Sequence, residues 1–458
     1  MSDTTVSKTL ENGAARRVNV NKVIDEGKFN KFFFGVFILL LLALIFDGYD
    51  MGVYGVTLTS IMADMGISPT QTGLLASAGM YGMMFGALFF GMLSDVIGRK
   101  KVIIIGIFIY SIFNALVALI SSYHLFVVVR FIAGMGMGAI TPVVISLLSE
   151  YTPRANRTLL LTMVMIGIPL GQLFSSLAGV AFLEPLGWKA LYLFTLVALV
   201  VVAFVVSHVP DSMKFYVPRG ESKTIKKVLG KANPDFKQVE NDIYEISQTN
   251  TQKVSITNLF KDGYAGNTIF IWITFFCNLY LFFGVSTWLP KLMTMLGYPL
   301  KSSVVFLAVF LLGGVLTTPI VGRLGDKYGY RKVMPPLYLL CAITISLLSF
   351  QLPMIVFYIV LFLAGCGVTL IQSITLATVP DFYPLAIRGT AMGWGSAVSR
   401  LGSAVAPTVV GVQLSANVPV NVVFLTFIIP AVVGCIAILM TKPNAEMIKS
   451  NPSIISKA

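Results

Sequence analysis

Twelve runs of predominantly apolar residues divide this chain, near 32–56, 70–93, 102–122, 125–149, 158–182, 189–208, 266–289, 302–322, 333–351, 354–379, 389–411 and 420–441. Each is close to the ~20 residues that a helix needs to cross a hydrocarbon core about 30 Å thick. Only 12% of the residues are charged and the mean hydropathy is +0.84. A soluble domain carries roughly 25% charged residues, so the chain is read as an all-α membrane protein. The first thirty residues carry Asn, Lys and Arg, with no short apolar core and small-residue cleavage site. The first run is therefore expected to be kept as a membrane helix, with a polar, frayed segment before it.

The net charge of +13 reflects topology and does not point to a nucleic-acid partner. With the N-terminus placed inside, 28 of the 33 Lys and Arg fall in the tails and inner connections. Three lie in outer loops (Lys189, Lys291, Lys301), and Arg130 and Arg400 lie within runs. That asymmetry places both termini in the cytoplasm of a multi-pass cell-membrane protein. The expected organisation is a tail over 1–31, six helices over 32–208, a Lys-rich tether over 209–264, six helices over 265–441 and a tail over 442–458. Cys277, Cys341, Cys366 and Cys435 all fall in apolar runs without close pairing, and His124 and His208 are scattered. Neither set suggests a disulfide framework, a metal centre or a cofactor.

The first run contains Phe46-Asp47-Gly48-Tyr49-Asp50-Met51-Gly52-Val53-Tyr54. On a helix Asp47, Asp50 and Tyr54 share one face. Carboxylates inside a bilayer are costly and normally face a bundle interior or a wet cavity. Two on one face imply a substrate or proton path. At ~1.5 Å per residue Asp47 lies about 22 Å along its run, and Arg130 about 8 Å in from the opposite side, at a similar depth. An Arg130 pair with one of the aspartates follows, either coupled to transport or purely structural. Arg400 lies about 17 Å along run eleven, near the midplane, and runs seven to twelve hold no acidic residue at that depth. Its planar fork suits a carboxylate, so it either anchors an anionic substrate or pairs across the midline with Asp47 or Asp50.

The two halves repeat. Gly91-Met-Leu-Ser-Asp95-Val-Ile-Gly98-Arg99-Lys100-Lys101 returns 231 residues later as Gly322-Arg-Leu-Gly-Asp326-Lys-Tyr-Gly329-Tyr330-Arg331-Lys332. Phe131-Ile-Ala-Gly134-Met-Gly136 returns as Phe362-Leu-Ala-Gly365-Cys-Gly367, and Glu150, Pro153 and Arg157 return as Asp381, Pro384 and Arg388, at the same offset. One offset at three sites marks a duplicated six-helix unit. Asn278 then takes the place of Asp47 in the second half. Tyr54, Gln172, Asn278, Tyr280, Gln372 and Trp394 are polar or aromatic groups at possible cavity positions, with packing or an interfacial belt as the competing role for each aromatic. The charges of the two repeated loops, Asp95, Arg99, Asp326 and Arg331 among them, are expected to pair with helix ends in one state and release in another. Glu150, Arg154 and Arg157 are expected to join them.

The paired Gly-x-Leu-x-Asp-x-x-Gly-x-Arg-type loops resemble the signature of the major facilitator superfamily, and the resemblance covers all but the chain ends. It implies two pseudo-symmetric six-helix halves around a central cavity. Within that superfamily, Asp47-Gly-Tyr-Asp50 with Arg130 and Arg400 resembles the aromatic acid:proton symporters. That resemblance implies import of a small organic acid such as benzoate or a hydroxybenzoate together with protons, one chain sufficing. It also implies a role for Glu150 in coupling and ring stacking for Trp394. A symporter of another organic acid, a sugar or a polyol, or a drug:proton antiporter, are the alternatives. No Gly-x-x-x-x-Gly-Lys-Ser/Thr loop is present for ATP, and no nucleophile–base constellation points to an enzyme.

Overall fold

The computed structural model describes residues 16–237, 239, 242–246, 255–261, 263–317, 330–350 and 352–442. The first membrane helix, α1 (Lys31–Met65), begins at Asn30, whose side chain accepts from the N–H groups of Phe32 and Phe33 at 2.9 and 3.3 Å. It ends at Gly66 in the left-handed conformation, φ 60°, where glycine avoids the Cβ penalty. Ser68 and Gln71 then form a capping box that opens α2 (Pro69–Ile97) with proline in its first turn. The bundle continues through α3 (Arg99–Val117) and α4 (Tyr123–Tyr151). The helical stretch Arg157–His208 breaks at Gly187 (φ 75°) into α5 (157–186) and α6 (188–208). The second half holds α7 (Ala265–Met295), α8 (Leu300–Thr317), α9 (Tyr330–Leu347), α10 (Met354–Phe382), α11 (Leu385–Ser415) and α12 (Val420–Met440).

Among the described residues nine of these stretches, Arg157–His208 counted once, are long and apolar enough to cross a membrane. With α9 and α11 they make twelve helices in two halves. The first helix is longer than the apolar pattern suggests, 35 residues, because capping chemistry and not loss of hydrophobicity ends it.

The sequence repeat is also a packing repeat. Gly82 of α2 lies against the carbonyl of Phe131 on α4, and 231 residues on Gly313 of α8 lies against the carbonyl of Phe362 on α10. Gly134 and Gly365 meet the carbonyls of Gly79 and Phe310, and Gly171 and Gly402 meet those of Ile45 and Phe276. At each site an added Cβ would overlap backbone. These small residues let helix backbones approach closely where lipid supplies no hydrophobic drive. The same pairs therefore hold both halves together: α2 with α4, α1 with α5, and their counterparts.

The halves meet mainly through α2 with α11, α5 with α8 and α1 with α7. Near the start of α2 the Thr70 hydroxyl donates to the Ser415 hydroxyl at 2.8 Å. Ser77 bonds the Ala404 carbonyl and lies 2.6 Å from the Thr408 hydroxyl. Gly73 and Gly411 pack on the carbonyls of Pro407 and Pro69. This seal lies at the end of the bundle away from Lys31, where α1 begins, and from Met440, where α12 ends.

The segment before α1 is not frayed from residue 16 onward. Strand β1 (Arg17–Asn19) pairs in parallel with β2 (Ile243–Glu245), so Val18 stands opposite Tyr244. A short helix, Val20–Asp25, packs on an amphipathic one, Ser222–Ala232. The Asn30 side chain donates to the carbonyls of Lys231 and Ala232 at 3.0 and 3.2 Å. Arg16 grips Asp242 with two bonds of 2.7 Å. Of the stretch read as a tether, residues 209–237 and 242–246 are therefore docked on the first half, while Ile256–Phe260 packs on α7 and α11 of the second. Burial would push the Asp242 carboxyl up, but bonds from Arg16 and the Val239 N–H hold it below the usual carboxylate range. A group held low contributes its stabilisation above the ordinary carboxylate pKa and loses it as pH falls through its own lowered value. The clasp is thus expected to survive any physiological pH. Asp242→Asn should speed amide hydrogen exchange across 243–245 at pH 7 without altering the transmembrane helices.

Candidate functional site

Three residues apart, Asp47 and Asp50 point about 60° apart around α1, and each has its own surroundings. Both are fully buried. Asp47 turns to α4 and the second half: its Oδ2 accepts from the Thr141 hydroxyl at 3.1 Å, and the opposite charge it feels is that of Arg400. Asp50 turns into the first half, where it feels Arg130 most strongly among the charges. Among the described residues neither Asp50 oxygen accepts a hydrogen bond.

Arg130 is 1% exposed and makes no ion pair within 4.0 Å among the described residues. Its Nη1 donates to Asn114 Oδ1 of α3 at 2.9 Å. Its guanidinium carbon lies 5.0 Å from the centre of the Tyr54 ring, an attraction worth upwards of about 1 kcal/mol when desolvated. Gly79 of α2 leaves room for it: a Cβ there would stand 3.4 Å from Nε. Tyr54 is fixed in turn by its hydroxyl bond to the Thr72 carbonyl, 2.7 Å. The expected Arg130–aspartate pair is thus an approach to Asp50 without direct contact, and Asn114 takes the hydrogen bond. Sequence reading missed Asn114 and Thr141, both neutral residues in apolar runs.

Arg400 lies on the α11 face that also carries Ala404, Pro407 and Gly411, the residues packed on α2. It is half-buried. Among the described residues its guanidinium makes no hydrogen bond and no ion pair within 4.0 Å. A guanidinium has five donors, so the arrangement is a cation with its bonding capacity open, aimed at the interface of the halves, with one carboxylate in electrostatic reach.

The remaining sequence candidates separate. Gln172 is buried where α5 packs on Gly52 of α1. Asn278 spends its amide on the Val368 carbonyl of α10, 3.1 Å, as an interhelical tie. Gln372 is exposed. Tyr280 lines a largely apolar groove of about 660 Å³ between α7, α11 and α12, with Trp272, Phe276 and Gln413. Trp394 is 44% exposed and stacks on Trp272 at 6.2 Å and 28°. Six residues from Arg400, it lies some 120° around the helix from it. Trp394 therefore does not share the Arg400 face. A ring held there would be aromatic packing on the outside of α7.

Glu150 sits with the loop network, away from Asp47 and Asp50: nine residues beyond Thr141, it is about 14 Å further along α4. Arg99 pairs with it and also bonds the Ser146 carbonyl at 3.2 Å. Ser212, just after α6, donates to its other oxygen at 2.5 Å. Asp211 accepts from the Lys100 N–H at 3.1 Å, capping α3 from a distance in sequence, and Tyr151 bonds its carbonyl. Arg157 pairs with Asp25. Asp95 falls in the last turn of α2 and is exposed, and Gly91 has open space around it. Arg331 donates to the Leu439 carbonyl at 2.8 Å; Gly322 and Asp326 lie outside the described residues. Gly98 has φ 102°, and a Cβ on it would overlap the Asp211 carboxylate. Gly98→Ala is expected to cost about 1–3 kcal/mol of stability from the backbone alone, read as a lowered Tm in detergent.

A bundle of two matched halves, sealed at one end and holding opposite charges at the interface between them, has the architecture of a membrane transporter. The chain belongs to the Major Facilitator Superfamily, whose model matches residues 40–315 and 304–454. The benzoate transport protein of Acinetobacter baylyi is 32% identical over 433 residues, 93% of each chain. The gentisate transporter of Corynebacterium glutamicum is 31% identical, over 86% of this chain and 84% of its own. The 4-hydroxybenzoate transporter PcaK of Pseudomonas aeruginosa is 27% identical, over 93% and 96%. Among solved structures, the inward-open xylose transporter XylE from E. coli superposes with a TM-score of 0.67 at 18% identity, covering 90% of this chain and 97% of that one. At that identity the likeness concerns the fold.

Proposed function

We propose that this protein imports a small aromatic monocarboxylate, such as benzoate or a hydroxybenzoate, together with a proton, across the cytoplasmic membrane. The observation that carries the reading is Arg400, a half-buried guanidinium without a bonded partner among the described residues, on the face where the halves meet. A carboxylate is the planar acceptor that its fork fits, through two charge-assisted hydrogen bonds. A sugar or polyol offers no charge to it, and a cationic drug would be repelled. The similarity to transporters of benzoate, gentisate and 4-hydroxybenzoate supports the same choice.

The geometry suggests a cycle. With the α2–α11 seal closed at the outer end, substrate exchanges with the cytoplasm. Rocking of the halves would open that seal and close the inner end around the same site, as alternating access requires. Asp50 carries the proton, and Arg400, opposed by Asp47, carries the acid. The Arg99–Glu150–Ser212 network and Asp211 tie the inner ends of α3, α4 and α6 into one body that moves as a unit. Both termini and the docked residues 209–237 and 242–246 lie on the cytoplasmic side in this reading.

The test is uptake by the purified protein in proteoliposomes with an imposed pH gradient, alkaline inside. Radiolabelled benzoate, 4-hydroxybenzoate, gentisate, succinate and xylose are offered one at a time. Accumulation of the ring-bearing acids and not of xylose is expected. Accumulation of xylose without the acids would overturn the reading.

A further inference from the structure

The core of the first half contains an unusual set of open valences. Both oxygens of Asp50, the Asn114 amide nitrogen, Arg130 Nε, and the hydroxyls of Tyr110, Ser111 and Tyr192 are buried without a hydrogen-bond partner among the described residues. Asn114 is fully buried and stands beside both Asp50 and Arg130, but it bonds only Arg130 among the described residues. A guanidinium beside a bare carboxylate should bond it, since a charge-assisted bond is roughly twice as strong as a neutral one. Here the guanidinium bonds a neutral amide instead. An ionised carboxylate left with no donor in such a core is very expensive, whereas the neutral acid is not. The arrangement suits a proton-loaded Asp50, with its natural counter-ion held aside.

We infer that Asn114 is a positioning residue for proton coupling: its Oδ1 holds Arg130 off Asp50 while Asp50 carries the proton. When Arg130 leaves Asn114 for Asp50, the O–H bond of the acid breaks, the proton passes to water, and Asp50 remains as the carboxylate paired with Arg130. Arg130 stays protonated throughout. The Tyr54 ring, 5.0 Å from the guanidinium, supports the cation in its position beside Asn114. The inference rests on the proposed proton coupling and names the device by which one residue would gate it.

The other groups around Asp50 neither supply nor accept that proton readily. On its own helix Asp47 faces Thr141 and Arg400, and Tyr49 donates to the Leu191 carbonyl at 3.0 Å. α3 brings Tyr110, α4 Arg130 and α6 Tyr192. α5 packs on α1 at Gly48 and Gly52 with Ile168, Gln172 and Ser175, and α7 at Gly55 with Ser286 and Thr287, none of them ionisable. The tyrosine hydroxyls bind protons too tightly to act near neutral pH, their reference value being about 10. Among the described residues of the first half, Arg130 is the cation placed to trade with Asp50.

Benzoate counterflow, measured against pH in proteoliposomes loaded with unlabelled benzoate, reads the proton site without net transport. Without its amide acceptor, Arg130 in Asn114→Ala should settle on Asp50. The pH of half-maximal exchange should fall by about one unit, a tenfold rise in the proton concentration required, with the acid-side maximum kept. Asn114→Asp, of the same shape, places a competing anion at Arg130 and should move the midpoint the other way. If Asn114→Ala does not yield folded carrier, Asn114→Asp alone decides by the direction of its shift. A lowered maximum with an unmoved midpoint in both variants would reduce Asn114 to a structural role and overturn the inference. Wild-type uptake that ignores the pH gradient would overturn the underlying coupling instead, so the two failures are distinguishable.

Discussion

Replacement of Arg400 by alanine is expected to reduce uptake of labelled benzoate to that of protein-free vesicles, while the variant still elutes as a folded carrier. The size follows from what is removed. Two charge-assisted bonds at about 1.5–3 kcal/mol each amount to a hundredfold or more in affinity. The loss also leaves Asp47 without the cation it faces across the interface. Arg400→Lys keeps the charge but not the fork, and the ammonium is a strongly hydrated point. It should recover only a few per cent of wild-type uptake at saturating benzoate. Trp394→Ala supplies the contrast. Because Trp394 stacks on Trp272 and lies off the Arg400 face, its loss should leave the apparent affinity for benzoate within about threefold. Near-normal uptake by Arg400→Ala would remove Arg400 as the carboxylate anchor and with it the main reason for reading the substrate as an anion.

The charged part of this site was legible in the sequence because charge inside a membrane is conspicuous. Asp47, Asp50, Arg130 and Arg400 stand out against apolar runs, and each is costly enough to demand a reason. The neutral partners were not legible. Asn114 and Thr141 sit in runs of Ile, Val, Phe and Ala where a single amide or hydroxyl costs little and often bonds its own helix, as Thr57 does with the Val53 carbonyl. Helical phase placed Asp47 and Asp50 on one face, but a 60° difference is enough to send one to the interface and the other into the first half. The 231-residue offset carried further than the loops in which it was noticed, since it reappears as glycine–carbonyl contacts in both halves. By contrast, β1 pairs with a strand 226 residues away. A three-residue strand with so distant a partner has no local signature, which is why the segment before α1 reads as frayed.

The energetics of the cycle can be tested by separating the pH gradient from the membrane potential, and uptake is expected to follow the first and ignore the second. In the empty carrier, once Asp50 has released its proton, Asp47 and Asp50 are balanced by Arg130 and Arg400, so the four groups are neutral together. When benzoate binds Arg400 as an anion, neutrality is restored by one proton. Asp50 is the place for it, since neither of its oxygens has a donor among the described residues, whereas Asp47 has Thr141 and faces Arg400. Both forms that reorient are then neutral, which spares the carrier the cost of moving a net charge through a low-dielectric core. A 100 mV potential is worth ~2.3 kcal/mol per charge and does no work on a neutral unit, while each pH unit, about 1.4 kcal/mol, supports roughly tenfold accumulation. Asp50→Asn should abolish gradient-driven accumulation and retain benzoate exchange, and that exchange should no longer vary with pH between 5 and 8. Proteoliposomes given a potassium-diffusion potential, negative inside, at equal pH should accumulate no more than unenergised ones. Substantial accumulation under that potential would require a second proton, with Asp47 as its carrier, and would break the charge balance argued here.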